Sequence, residues 1–256
     1  MPSFPNLSGR VMLVTGASSG LGAQFARSAA AAGAAVVLAA RRVDRLAALK
    51  TEIEATGGTA AAVAMDVEDE ASVSRGFDEA QAALGPVMSV IANAGMNQSG
   101  SALGLPIESF DHVVRVNLRG VFITAREAAK RMIAAGSPQS GAGRILLIGS
   151  VGSHRVLEKA ATYNMTKAGV LMLGKALAKE WAPKGINVNT LCPGWIKTDI
   201  SIDVLDSPFG HALINSFPRK RVMESGDLAD LALYLLSDAS RTITGGSFEA
   251  DDGQSL

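Results

Sequence analysis

The sequence predicts one doubly wound α/β domain, and three observations carry that expectation. Short apolar runs suited to buried strands recur seven times and alternate with helical stretches. The first run enters a glycine-rich turn and then a helix without a break. Nothing in the 256 residues reads as a linker or an internal repeat. The expected architecture is a seven-stranded parallel sheet flanked by helices. Right-handed crossovers would then place ligands at the carboxyl ends of the strands.

Composition sets outer limits. Hydrophobic residues make up 48% of the chain and charged residues 19%, which suits a compact globule. Twenty-four basic residues balance 24 acidic ones, so net charge recommends neither nucleic acid nor an anionic membrane as partner. The lone Cys192 cannot form an internal disulfide and has no cysteine partner for a metal, so no metal site is expected. The N-terminal MPSFPNLSGR lacks the pattern of a secretory signal, and the most apolar stretch, 28–40, is too short to span a membrane. A cytoplasmic protein is expected.

The elements follow in order. Residues 10–15, RVMLVT, form the first strand, GASSGLG (16–22) the turn, and AQFARSAAAAG a helix closed by Gly33. Gly16, Gly20 and Gly22 permit a tight turn and close backbone approach, while the helix N-terminus can face a pyrophosphate; this is the opening of a dinucleotide-binding unit. The second strand (34–40) ends at Ala40, Arg41 and Arg42, where an NAD-selective site would carry an acid for the adenosine ribose. Without that acid a 2′-phosphate is not repelled, and one inward-turned guanidinium suffices to bind it. NADP(H) is therefore the expected cofactor and NAD(H) the second option, unless both arginines are simply solvated ahead of the helix at 43–57.

The third strand (59–67) carries Asp66, read either as an acceptor for an adenine amino group or as the cap of a helix starting near Glu68. The fourth strand runs into Asn93, Ala94 and Gly95, a small-residue turn past which a cofactor could lie close to the backbone. One helix is expected over 107–135, with Asn117 the polar exception on its apolar face. A buried asparagine must be hydrogen-bonded, so Asn117 is either a structural clamp or a holder of ordered water.

The fifth strand ends at Ser150, and Tyr163 and Lys167, four apart, share one face of the next helix. A free tyrosine, with a pKa of about 10, is a poor acid at neutral pH. A nearby ammonium favours phenolate and brings the phenol toward the working range of a general acid or base, while the serine hydroxyl can hold a substrate oxygen beside it. The sixth strand ends in Pro193-Gly194. Residues 195–218 follow without a single period and read as a substrate-binding lid, whose Ile200, Ile202, Leu205, Phe209, Leu213 and Phe217 suit a partly apolar substrate. A helix (226–238) and a last strand (245–253) close the chain.

Taken together, TGASSGLG (15–22), Asp66-Val67, NAG (93–95), Asn117, Ser150, YNMTK (163–167) and PGWIKT (193–198) resemble the short-chain dehydrogenase/reductase family over residues 15–253. The resemblance implies a Rossmann-type domain and a catalytic tetrad of Asn117, Ser150, Tyr163 and Lys167. In it the tyrosine is the acid/base, the serine orients the carbonyl, the lysine also binds the nicotinamide ribose, and the asparagine holds a water. It implies cofactor contacts from Gly16, Ser18, Ser19, Gly20, Leu21, Gly22, Arg41, Arg42, Asp66, Val67, Asn93, Ala94, Gly95, Pro193 and Gly194, besides Tyr163 and Lys167. Ile196 and Thr198 would meet the nicotinamide carboxamide or the neighbouring phosphates. It also implies a homotetramer, with the helices carrying Asn117 and Tyr163 at one interface. Gly149, Ala92 and the C-terminal DDG depart modestly from the family pattern, and the loop SHRVLEKA (153–160) is expected to shape substrate choice without His154 serving as a base.

Within the family the chain is similar to 3-oxoacyl thioester reductases. The expected reaction is hydride transfer between NADP(H) and a small-molecule carbonyl/alcohol pair, with Arg126, Lys130 and Arg131 available to an acidic acyl carrier. An alcohol or polyol dehydrogenase is the enzymatic alternative, and an NADP(H)-binding sensor or assembly subunit the non-enzymatic one.

Overall fold

The computed structural model describes residues 6–198 and 201–256. In chain order β1 (Val11–Thr15), α1 (Gly20–Ala31), β2 (Ala35–Ala40), α2 (Val43–Ala55), β3 (Thr59–Ala64), α3 (Glu70–Leu84) and β4 (Val87–Ala92) form the first half. The second half comprises α4 (Ile107–Val114), α5 (Gly120–Ala134), a short α6 (Ser137–Ser140), β5 (Gly143–Ile148), α7 (Ala161–Trp181) and β6 (Ile186–Pro193). It ends with α8 (Ile202–Leu205), α9 (Pro208–Ser216), α10 (Ala229–Leu236) and β7 (Ser247–Ala250). The strands pair in parallel in the order β3-β2-β1-β4-β5-β6-β7, the expected seven-stranded doubly wound sheet.

Alternation along each strand feeds two cores. β1 sends Met12 and Val14 to one face, against Phe25, Leu38 and Leu233, and Leu13 to the other, against Phe77, Val90 and Met132. Both faces of the central strands are covered, so β1, β2, β4, β5 and β6 read as nearly unbroken apolar runs, while the edge strands β3 and β7 are partly exposed. Each such buried side chain contributes about 1.5–3 kcal/mol. The sheet is thus held from both sides, and the loops at its carboxyl ends are left for function. The strand order reverses between β1, which pairs with β2, and β4, the place where a doubly wound sheet opens a crevice.

Three expectations are corrected. The helix expected over 107–135 is interrupted by a π-helical turn, Arg115–Arg119, in which the N–H of Gly120 donates to the carbonyl of Arg115. The apolar face continues through Val116, Val121 and Ala125, so periodicity could not reveal the wider turn. The cap of α3 is Asp69, whose Oδ1 accepts the Ala71 N–H at 2.9 Å; Asp66 instead accepts the N–H of Glu68 at 3.0 Å. Within 195–218 the chain forms α8 and α9, with Ile200 outside the described residues. Leu205 (3% exposed) and Phe217 (5%) belong to the protein body, while Ile202 and Phe209 face solvent. No helix among the described residues is long and apolar enough to cross a membrane.

Candidate active site

The crevice is built first by small residues. Gly16 has φ +69°, and a Cβ on Gly22 would stand 2.6 Å from Asn93 Nδ2, so side chains at these positions would block the fold of the turn beneath the β4 loop. Thr15 joins the two sides of the reversal. Its Oγ1 accepts from the N–H groups of Asn93 (3.0 Å) and Ala94 (3.1 Å), and Asn93 Nδ2 donates to its carbonyl at 2.9 Å. Ser19 stands at the N-cap of α1 without a capping hydrogen bond from its side chain, and the first turn holds no acidic residue. That leaves the helix N-terminus suited to an anion.

At one end of the crevice Arg42 turns inward. Its Nε and Nη2 donate to Ser18 Oγ at 3.1 and 2.8 Å, and Nη2 donates to Ser19 Oγ at 2.7 Å. Arg41 turns the other way, with Nη1 3.8 Å from Glu68 Oε1 and 4.0 Å from Asp66 Oδ2.

At the other end Ser150, Tyr163 and Lys167 come together. Ser150 Oγ accepts the N–H of Gly152 at 3.0 Å, which leaves its own proton to donate, and the Ser150 N–H is held by Ser153 Oγ at 3.1 Å. Burial of the Tyr163 phenol pushes its pKa up; a hydrogen bond with the Ser150 hydroxyl works in the opposite direction. The expected depression by Lys167 is therefore not the governing effect. Lys167 is itself buried, and desolvation brings its pKa down to about 8. Its Nζ donates to the carbonyl of Ile148 at 2.8 Å and lies 5.6 Å from the centre of the Tyr163 ring.

Asn117 is fully buried and committed to the backbone of Met96. Its Oδ1 accepts the Met96 N–H and its Nδ2 donates to the Met96 carbonyl, both at 2.8 Å. Of its two readings, the side chain fits the clamp.

One cleft is lined by Gly16, Ser18, Ser19, Gly20, Leu21, Arg41, Arg42, Asp66, Val67, Asn93, Ala94, Gly95, Ser150, Tyr163, Lys167, Pro193, Gly194, Ile196 and Thr198. Gly22 lies beneath it and Asn117 behind. His154 lies on another surface, its Nε2 3.4 Å from Ser247 Oγ and 3.5 Å from Glu249 Oε1. Sequence reasoning missed Met96 and Asn97 in the lining, and did not single out Leu157, Trp195 or Val204 within the loop (153–160) and lid (195–218) it assigned to the substrate. It also missed Gln254, whose Oε1 accepts the Trp195 N–H at 2.6 Å. Met96 and Asn97 directly follow the NAG turn and Trp195 the Pro193-Gly194 pair, which is the signal that could have found them. The glycine cradle, the uncapped helix and the Arg42 cluster fit a phosphorylated dinucleotide reaching toward Tyr163.

The arrangement defines a nicotinamide-dependent oxidoreductase. A family model described as Enoyl-(Acyl carrier protein) reductase matches residues 16–255. D-threitol dehydrogenase of Mycolicibacterium smegmatis is 32% identical, covering 98% of this chain and 94% of its own. The 3beta-hydroxysteroid dehydrogenase 1 of Eggerthella lenta is 36% identical, covering 99% and 96%. The crystal structure of a gluconate 5-dehydrogenase from Burkholderia cenocepacia in complex with NADP and tartrate is 33% identical, with a TM-score of 0.91 over 97% of this chain and 96% of that one. The chain belongs to the short-chain dehydrogenase/reductase family, NAD(P)-dependent enzymes acting on CH–OH groups.

Proposed function

We propose that this enzyme transfers hydride reversibly between NADP(H) and the carbonyl/alcohol pair of a small hydroxylated substrate, in the cytoplasm. The convergence of Ser150, Tyr163 and Lys167 on the end of the cleft opposite Arg42 carries the reading. Bound NADP(H) supplies or accepts the hydride. The Ser150 hydroxyl, its oxygen already accepting from Gly152, holds the substrate oxygen. Tyr163 gives that oxygen a proton on reduction and takes it back on oxidation. Lys167 has N–H groups beyond the one given to Ile148 and binds the nicotinamide ribose with them. Asn117 acts by positioning the Met96 backbone. Arg42, with Ser18 and Ser19, receives the 2′-phosphate, which is why NADP(H) is preferred over NAD(H); NADP in the Burkholderia relative supports this choice.

The relatives span polar and apolar substrates. A carrier-borne 3-oxoacyl thioester has less support, because Arg126 pairs with Glu70, Lys130 with Glu127 at 3.6 Å, and Arg131 with Asp78 at 2.6 Å. The D-threitol and gluconate relatives favour a polyol or sugar derivative. Residues 195–218 serve as the lid, with Trp195, Ser201 and Val204 rather than Phe209 or Leu213 on the cleft. A screen of ketones, aldehydes, oxoacyl thioesters, alcohols and polyols with both nicotinamides tests the assignment. Tight NADPH binding without turnover of any of them would favour the sensor instead.

The pH profile has a definite sign. Below about 8 Lys167 holds its proton, and Tyr163, raised by burial, holds its own. As pH rises Lys167 is discharged first, so kcat/KM for NADPH-dependent reduction should be level at low pH and fall through about 8. A profile level through that pH would contradict the buried-ammonium role.

A homotetramer is part of the proposal. Val114, Leu118, Phe122, Met172 and Leu173 form an apolar groove along the two long helical elements, with Met172 65% exposed. Met172→Glu is expected to lower the particle mass measured by light scattering. An unchanged mass would remove this groove from the assembly.

A further inference from the structure

We infer that Ser153 is a positioning residue: its hydroxyl ties the turn that carries Ser150 to α7, and so holds the Ser150 hydroxyl where the substrate oxygen meets Tyr163. The inference rests on the hydride-transfer reading and deepens it by naming the side chain that sets the spacing of its two hydroxyl groups.

Ser150 and Tyr163 reach the cleft from different elements. Ser150 follows β5 and caps a short helical turn, Val151–Ser153, whereas Tyr163 and Lys167 ride on α7. Their meeting depends on what joins the turn to the helix. Ser153 Oγ makes that joint, accepting the Ser150 N–H at 3.1 Å and donating to the carbonyl of Lys167 at 2.9 Å. A backbone N–H can only donate and a carbonyl can only accept, so the direction of both bonds is fixed and the hydroxyl proton points to α7. The turn itself is closed by the Ser153 N–H, which donates to the Ser150 carbonyl at 2.8 Å. Ser153 therefore holds both backbone groups of Ser150.

Gly149 leaves the room for this joint. A Cβ there would lie 3.1 Å from Ser153 Oγ and 2.8 Å from Cys192 Sγ, so a side chain at 149 would push the hydroxyl from its place. The absent side chain at 149, a departure from the family pattern, and the hydroxyl at 153 belong together. A second tie joins the same parts, from Lys167 Nζ to the carbonyl of Ile148 at 2.8 Å, but it uses an ammonium that the proposed reaction also needs. The side chain of Ser153 touches only backbone in both of its bonds, so it can be removed without removing a group that meets substrate or cofactor. Displacing an orienting group by about 1 Å costs up to about 10²-fold in rate.

The experiment is a double-mutant cycle between Ser153→Ala and Ser150→Ala in the full-length enzyme. It uses NADP(H) and the member of a ketone, aldehyde, alcohol and polyol panel that the unmodified enzyme turns over fastest. Ser153→Ala should lower kcat by roughly 10- to 100-fold and leave NADPH affinity within about threefold. In the Ser150→Ala background the same change should cost less than about threefold, because no hydroxyl is left to place; a merely structural loss would be the same in both backgrounds. Ser153→Thr, which keeps the hydroxyl, should stay within about threefold of the unmodified kcat. A kcat in Ser153→Ala within threefold of the unmodified value, equal losses in the two backgrounds, or a Ser153→Thr as slow as Ser153→Ala would overturn the role of Ser153 alone. An unmodified enzyme that turns over no member of the panel would overturn the hydride-transfer reading and this assignment with it.

Discussion

Tyr163→Phe is expected to lower kcat by roughly 10²–10⁴-fold while NADPH still binds. The substitution keeps the ring facing Lys167 Nζ and removes only the hydroxyl. The cleft therefore keeps its shape, and Ser150 keeps its bond from Gly152. What is lost is the proton that the substrate oxygen receives as carbon is reduced. The phenol is half-buried in the cleft wall and its pKa is raised by desolvation, so it keeps its proton at neutral pH until the substrate oxygen takes it. Steady-state turnover and NADPH affinity, the latter by fluorescence titration, check the two halves separately. Turnover retained within about tenfold would rule out Tyr163 as the acid/base. Loss of NADPH binding would instead mean that the phenol helps to hold the cofactor.

Arg42→Ala is expected to weaken NADPH binding by roughly 10- to 100-fold and NADH binding by less than about threefold. Each charge-assisted hydrogen bond to a phosphate contributes about 1.5–3 kcal/mol, and Arg42 is already gathered with Ser18 and Ser19 where a 2′-phosphate would be received. Arg41→Asp is the control. Arg41 leans on Glu68 and Asp66, so removing it disturbs that acidic pair before it touches a phosphate. Its effect on the NADPH/NADH affinity ratio should be smaller than that of Arg42→Ala. Tighter binding of NADH than NADPH by the unmodified protein would overturn the reading of this end of the cleft.

Much of this was legible in the sequence for physical reasons. A parallel sheet covered on both faces forces apolar runs in its central strands, which made those strands readable, and Gly16 and Gly22 are required because a Cβ at either meets Asn93 in the β4 loop. Tyr163 and Lys167 could be paired because four residues is one helical turn. Other features depend on distances along the chain that no local pattern encodes. Asn117 reaches Met96 across 21 positions, and Gln254 reaches Trp195 across 59. The π turn hides inside a continuing apolar face. The direction at Tyr163 differs from the expectation because residue spacing reports a neighbouring charge but not the desolvation that pushes the phenol's pKa up.

The two walls of the cleft differ in how they can give way. Beyond β4 the backbone is fastened by Thr15 at Asn93 and Ala94 and by Asn117 at Met96, so that wall behaves as a fixed jamb. The other side carries Ser201 and Val204, and behind them α9 buries only Gly210 and presents Phe209, 54% exposed, to water. Gly210 sits so close to α8 that a Cβ there would lie 2.6 Å from the Leu205 carbonyl carbon, which ties the two short helices into one leaf. In the lid proposed above these two helices would move together, and a slower product release with the chemistry at Tyr163 unchanged is the expected effect of fastening them to each other and to the body.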